Sequence, residues 1–206
     1  MLGKRTFVSD AVVQKRKFSR LPIEAHSVII STSRLTIRPW TFDDLEAFFA
    51  VYGDPKVMEP LLATAIGSLE EARERMAKNF QTAKSYPPGL GFWAIERTQD
   101  ARVVGSLILK PLPQDTRVEV GWHLGSAYWG NGYATEAGGA ALRYGFETRG
   151  LEEIFAIVRA ENEKSLAVCD RIGLKFLELT DRYHDLTLRL YGLTRDEWNI
   201  SCSQSP

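Results

Sequence analysis

Val118-Glu-Val-Gly-Trp-His-Leu-Gly-Ser-Ala-Tyr-Trp-Gly-Asn-Gly-Tyr-Ala-Thr-Glu136 changes character twice along its length. It opens as a strand: Val118, Val120, Trp122 and Leu124 make one apolar face, and Glu119, Gly121 and His123 point the other way. A glycine inside such a run marks a bulge or a close backbone approach. Gly130 and Gly132 then let the chain bend so that several N–H groups converge on the start of a small-residue helix, read over about 132–148. Free N–H groups at the positive end of a helix suit a phosphate or pyrophosphate. Two common nucleotide motifs nearly fit. Gly125 and Gly130 have P-loop spacing, but Asn131 and Gly132 stand where Lys and Ser/Thr belong. Gly130 and Gly132 also begin a dinucleotide fingerprint, but Thr135 replaces its third glycine, and the preceding segment reads as a hairpin arm rather than part of a βαβ unit.

Upstream, Arg34-Leu-Thr-Ile-Arg-Pro-Trp40 alternates as a half-buried strand does, and Thr41 with Asp44 fits a helix start. Leu45, Phe48, Phe49 and Tyr52 follow at helical spacing. Ser68 and Glu71 open a second helix, whose Leu69, Ala72, Met76, Phe80 and Ala83 share one face. Strand-like runs at 91–96 and 102–110 precede the one at 117–124, and Pro111–Asp115 makes the last two an antiparallel hairpin. Downstream, Ile154–Val158 reads as a buried strand, Asn162 caps a helix reaching about 172, and runs at 174–179 and 185–191 close the pattern. The order predicts an α+β domain on one mixed, largely antiparallel sheet flanked by helices. The domain is placed at 31–195, between an N-terminal extension at 1–30 and a C-terminal tail at 196–206.

The extension is basic, with Lys4, Arg5, Lys15, Arg16, Lys17 and Arg20 facing Asp10 and Glu24. It reads as a flexible or loosely docked arm, with a transit peptide or a basic contact arm as the other readings. Over the whole chain 26 Lys+Arg balance 26 Asp+Glu, which gives no electrostatic case for a nucleic-acid partner. Cys169 and Cys202 make no disulfide framework, and His26, His123 and His184 make no metal-ligand pattern. No apolar run approaches a membrane span, so a cytoplasmic protein without metal is the expectation.

Trp129-Gly-Asn-Gly-Tyr-Ala134 resembles the coenzyme A pyrophosphate loop of the GNAT superfamily of N-acetyltransferases, usually Gln/Arg-x-x-Gly-x-Gly/Ala. Ser33–Trp40 and Asn162–Leu174 resemble other parts of the same domain, in the right order and on the right elements. Trp129 departs from the general pattern but is similar to the branch that acetylates ribosomal-protein N-termini. The resemblance implies a sheet splayed between the fourth and fifth strands, with acetyl-CoA as cosubstrate and a primary amine as acceptor. It puts the backbone of Trp122, His123 and Leu124 on the pantetheine arm, one of their N–H groups also polarising the thioester carbonyl. Trp129, Gly130, Asn131, Gly132, Tyr133, Ala134 and Thr135 take the pyrophosphate, and Asn162 contacts the coenzyme besides capping its helix. Glu119 is the expected general base, and Ser165 the hydrogen-bond donor or acid to the leaving thiolate. Cys169 stands where many relatives carry a tyrosine acid, and reads here as a small core residue. A protein N-terminal amine is favoured as acceptor, gripped by 53–67 and 179–185 with Asp54, Glu59, Asp181, His184 and Asp185 as candidate anchors. A small-molecule amine, such as an aminoglycoside or polyamine, and a non-catalytic acyl-CoA sensor are the alternatives. A homodimer is left open.

Overall fold

The computed structural model describes residues 28–61, 63–183 and 186–203. The basic extension up to residue 27, and the loop candidates His184 and Asp185, lie outside them. The strands are β1 (Ile30–Ser31), β2 (Leu35–Pro39), β3 (Gly91–Arg97), β4 (Arg102–Pro111), β5 (Val118–Leu124), β6 (Glu153–Val158), β7 (Lys175–Thr180) and β8 (Leu188–Thr194). They form one sheet in the order β1-β2-β3-β4-β5-β6-β8-β7. Every neighbouring pair is antiparallel except β5–β6. Its helices are α1 (Leu45–Tyr52), α2 (Pro55–Met58), α3 (Leu69–Ala83), α4 (Tyr133–Arg143), α5 (Glu163–Arg171) and α6 (Arg195–Ser203). The α+β reading with one mixed, largely antiparallel sheet is what the structure shows.

The alternation in the strands decides which layer covers which face. Trp93, Leu107, Leu109, Val120 and Leu124 lie in one apolar cluster with Ala137, Ala141 and Leu142 of α4. The small residues of α4 let it lie close on the sheet: a Cβ added at Gly138 would stand 3.2 Å from the Trp122 ring. The other face is covered by α1 and α3, through Phe48, Val51, Ala72 and Met76, with Trp40, and Met58 of α2, in the same cluster. Full burial of side chains of this size is worth about 1.5–3 kcal/mol each, so the two clusters together set the stability of the domain.

Seven register pairs join β4 to β5, from Gly105↔Leu124 to Pro111↔Val118. By contrast β5 and β6 meet in register only at Glu119↔Phe155. The two parallel strands therefore part toward their C-terminal ends, at the expected fourth and fifth strands, which the two-residue edge strand β1 renumbers as fifth and sixth. Gly105 sits where β5 presses hardest, since a Cβ there would lie 2.1 Å from the His123 carbonyl oxygen. Within the stretch read as a tail there is a helix instead: Trp198 of α6 packs on Phe146, ring centroids 5.7 Å apart.

Candidate active site

The hydrogen-bond phase of β5 decides what the parted strands expose. Gly125 N–H donates to Val104 O at 3.0 Å and Leu112 N–H to Arg117 O at 2.8 Å, one step beyond either end of the β4–β5 register. Antiparallel pairs alternate between bonded and non-bonded. Gly121 and His123 therefore direct their N–H groups at β4, while Trp122 and Leu124 direct theirs into the splay. This departs from the expectation for the His123 backbone, which is taken up by the ladder at Ser106. Trp122 and Leu124 turn their backbone N–H groups the other way, toward β6.

At the end of β5 the chain turns through Gly130 and Gly132, both at φ +79, which a residue with a side chain adopts only at a cost. Gly132 is the N-terminal flanking residue of α4, and no side chain caps that helix. The first-turn N–H groups of Tyr133, Ala134 and Thr135 thus face outward with the positive end of the helix. Trp129 is fastened by its Nε1–H to Leu124 O at 2.9 Å. Asn131 turns its side-chain amide inward to the carbonyls of Tyr128 and Trp129, both at 3.1 Å, which leaves backbone to meet a ligand at this position. Lys164 of α5 stands 3.9 Å over the Trp129 ring, so the second half of the domain places a cation on the turn although 129 itself is not basic.

The turn has a brace that the sequence reading did not find. Glu136 accepts from Thr32 Oγ at 2.6 Å, Arg34 N–H at 3.0 Å and Arg34 Nε at 2.7 Å, while Arg34 Nη1 reaches Asn131 O at 3.0 Å. The segment entering β2 therefore clamps the first turn of α4. The Ser33–Trp40 and Tyr128–Glu136 stretches were both conspicuous in sequence, but nothing in either indicates that they touch.

On the face of β5 opposite Trp122, Glu119 pairs with Lys110 at 3.2 Å. Gly121 leaves the next position on that face without a side chain. His123 Nδ1 lies 3.1 Å from the Tyr52 hydroxyl, which lies 2.6 Å from Ser106 Oγ. Burial, and secondarily Lys110, pushes the His123 imidazole down to about 4, so it is neutral at physiological pH. Tyr52 was read from sequence only as part of a helix face and Ser106 not at all, because they lie 71 and 17 positions from His123 and only the fold unites them.

In α5, Asn162 Oδ1 accepts from Ser165 N–H at 3.2 Å, the expected cap. Ser165 is half-buried, and Cys169, one turn on, is fully buried. Burial, with Asp170 adding to it, pushes the Cys169 thiol up to about 12, so it is no nucleophile. Of the proposed acceptor anchors, Asp54 is occupied in the fold: it caps α2 through Lys56 N–H at 2.9 Å and accepts from the Ser126 hydroxyl. The carbonyl of Glu59 takes Arg159 Nη1 at 3.3 Å, and Asp181 is exposed. Among the described residues there is no group of three or more metal-ligating side chains. Recesses of about 720 Å³ beside the β4–β5 hairpin and 540 Å³ between Ile29–Ser33 and α4 lie off the splay.

An open seam into which the Trp122 and Leu124 N–H groups point, leading to a helix start with no side-chain cap, suits a long ligand with a pyrophosphate near one end and amide groups along its arm. Residues 34–175 match the acetyltransferase (GNAT) domain model, and the chain belongs to that family. It is accordingly an acetyl-CoA-dependent N-acetyltransferase. The chain is similar to the uncharacterized N-acetyltransferase YoaA of Bacillus subtilis, 30% identical over 71% of this chain and 82% of that one. It is similar to the FsC-acetyl coenzyme A-N(2)-transacetylase of Aspergillus fumigatus, 27% identical over 82% of this chain and 77% of that one. A shorter match, 32% identical over 48% of this chain and 57% of the other, is to the putative ribosomal N-acetyltransferase YdaF of Bacillus subtilis. A GNAT-family acetyltransferase from Bacillus anthracis superposes with a TM-score of 0.68 at 25% identity, over 82% of this chain and 99% of that one.

Proposed function

We propose that this enzyme acetylates the α-amine of a protein or peptide N-terminus. The observation that carries the reading is the row Glu119, Gly121, His123 on the acceptor face of β5, directly behind the strand edge that turns the Trp122 and Leu124 N–H groups into the splay. The pantetheine arm lies along that edge, and the pyrophosphate on the N–H groups of Tyr133, Ala134 and Thr135 with Lys164 beside it. One of the two strand N–H groups polarises the thioester carbonyl. The amine nitrogen attacks the acetyl carbon, the carbon–sulfur bond breaks, and the amine's proton passes through water to Glu119. Ser165 donates a hydrogen bond to the departing thiolate, which as a good leaving group needs no stronger acid. Holding both substrates in one cleft supplies much of the acceleration.

The similarity to a putative ribosomal N-acetyltransferase, together with Trp129 and Ser165, favours an N-terminal amine. Similarity over more of the chain to a transacetylase named for an N(2) position, and not for a ribosomal protein, keeps a small-molecule amine as the second reading. The deciding measurement is thiol release from acetyl-CoA with free α-amine peptides, Nα-blocked lysine peptides, polyamines and aminoglycosides. Turnover with the α-amine peptides is expected. Turnover confined to the small amines overturns the acceptor assignment, and binding of acetyl-CoA without turnover on any amine favours a sensor.

A further inference from the structure

The Ser106–Tyr52–His123 chain is a line of hydrogen-bonding groups that runs into an apolar cluster including Trp40, Phe48, Val51 and Met58. Counting protons along it fixes the histidine tautomer. Ser106 is fully buried and Tyr52 nearly so, at 0% and 6% exposure. If His123 Nδ1 carried a proton, it would donate to Tyr52, Tyr52 to Ser106, and the Ser106 proton would be left in the core without an acceptor. Such an orphan costs about 1–3 kcal/mol. The reverse direction satisfies every buried donor: Ser106 O–H to Tyr52, Tyr52 O–H to Nδ1, and the histidine proton on Nε2. Among the described residues the buried polar side-chain atoms without partners are Trp40 Nε1, Arg149 Nε and Arg189 Nε. His123 Nε2 is not one of them, and no acceptor among the described residues meets it, so it opens to the cleft.

The cleft-facing side of β5 therefore carries, in order, a carboxylate at 119, a bare backbone at 121 and a neutral N–H donor at 123. Alternate positions on a strand are about 6.8 Å apart. An amine centred over Gly121 has an acceptor on one side and a donor on the other. We propose that His123 is an acceptor-binding residue whose Nε2–H holds the carbonyl oxygen adjacent to the reacting amine, and so selects α-amines that carry such a carbonyl over isolated amines. This rests on the N-terminal reading above and deepens it, because a peptide α-amine has its first carbonyl within reach whereas a lysine ε-amine has none.

Two measurements test it on the full chain. The ¹⁵N shifts of the His123 ring report the tautomer directly, and Nε2–H is expected; a protonated Nδ1 overturns the proposal without reference to activity. In kinetics, a short peptide amide is compared with the same amine reduced at its first carbonyl. The wild type is expected to prefer the peptide by about tenfold in kcat/KM, one hydrogen bond's worth. His123→Leu should abolish that preference through the acceptor KM while leaving the acetyl-CoA KM unchanged, and His123→Gln, which keeps a donor, should restore most of it. A preference that survives His123→Leu, or its absence in the wild type, refutes the proposal. Should His123→Leu fold poorly, the wild-type comparison and the ring shifts still decide. If the wild type acetylates no α-amine at all, the N-terminal reading fails and the selectivity argument falls with it.

Discussion

Glu119 illustrates what a single residue owes to its surroundings. Its carboxylate is shared with Lys110, and it stands at the one point where β5 and β6 remain in register, beyond which the strands part. As a base it matters most when the amine is still protonated. An α-amine with a pKa of ~7.7–8.0 sheds its proton unaided as pH rises past 8. Glu119→Gln should therefore lower kcat/KM about a hundredfold at pH 7, with a loss that narrows at pH 9. A pH–rate profile checks this, and undiminished turnover at pH 7 removes Glu119 from the mechanism. Ser165→Ala should slow release of the thiolate about tenfold with acetyl-CoA affinity unchanged, as measured by single-turnover kinetics. The two cysteines should separate cleanly under a thiol reagent. Exposed Cys202 reacts at once, whereas Cys169, buried and with its thiol pushed up to about 12, reacts only on unfolding.

Elements carry information that no residue type displays. The alternation Val118–Leu124 was legible because a half-buried strand imposes a period of two, and the helix at Glu163–Arg171 because Asn162 caps it as its chemistry directs. The ladder phase of β5 was not legible, since it depends on which neighbour bonds to Gly125, and that is a tertiary fact. Nor were β1, α2 and α6: two or four residues hold too little periodicity, and the apolar side of α6 shows chiefly as Trp198. The expected Ser68–Glu71 capping box is half formed. Ser68 Oγ accepts from Glu71 N–H at 3.2 Å, but the Glu71 carboxylate takes Gly67 N–H at 2.8 Å rather than closing on Ser68. The phase has a direct consequence in hydrogen exchange. The Trp122 and Leu124 amides should exchange quickly in the free protein and slow markedly with acetyl-CoA, while the His123 amide stays protected in both states. Fast exchange at His123 in the free protein would mean that the phase is wrong. A second prediction concerns the corner from β2 into α1, where Arg38 holds Asp44 through two 2.8 Å bonds and Glu96 at 2.7 Å. Burial raises the Asp44 carboxyl, but Arg38 and the Thr41 N–H together bring it below its ordinary value. A depressed acid stabilises the fold above its unfolded pKa, ~3.9, and loses that contribution as pH falls through the folded value. Asp44→Asn should thus cost ~1–3 kcal/mol at pH 7 and flatten the acid limb of the stability curve below pH 4, as followed by urea unfolding.

At the scale of the whole molecule the splay is a structural weakness, since β6–β8 joins β1–β5 at one register pair and must be tied elsewhere. The ties cross the gap at its rims. Tyr183 donates to Asp115 at 2.7 Å and takes the Arg117 guanidinium, which joins the loop before β8 to the β4–β5 hairpin. Lys164 over Trp129 and Arg159 on the Glu59 carbonyl do the same at the mouth. A ligand laid along the seam adds contacts to both halves, so occupancy and stability are linked. At a hundred times its Kd, acetyl-CoA stabilises the folded state by about 2.7 kcal/mol. For a chain of this size each kcal/mol moves Tm by about 2–4 °C, so a rise of roughly 5–10 °C is expected. The pyrophosphate should account for much of it, because its proposed partners are the α4 first-turn N–H groups and Lys164, and S-acetylpantetheine, which lacks the pyrophosphate, should shift Tm far less. Gly132→Val separates anchoring from folding. At φ +79 a side chain costs about 1–2 kcal/mol, and its Cβ would stand 3.4 Å from the Arg34 guanidinium. The variant should therefore melt a few degrees lower when free, yet lose most of the acetyl-CoA-induced rise, because the turn that aims those N–H groups is disturbed. A Gly132→Val protein that melts lower but keeps the full rise would show that the coenzyme is anchored somewhere other than the start of α4.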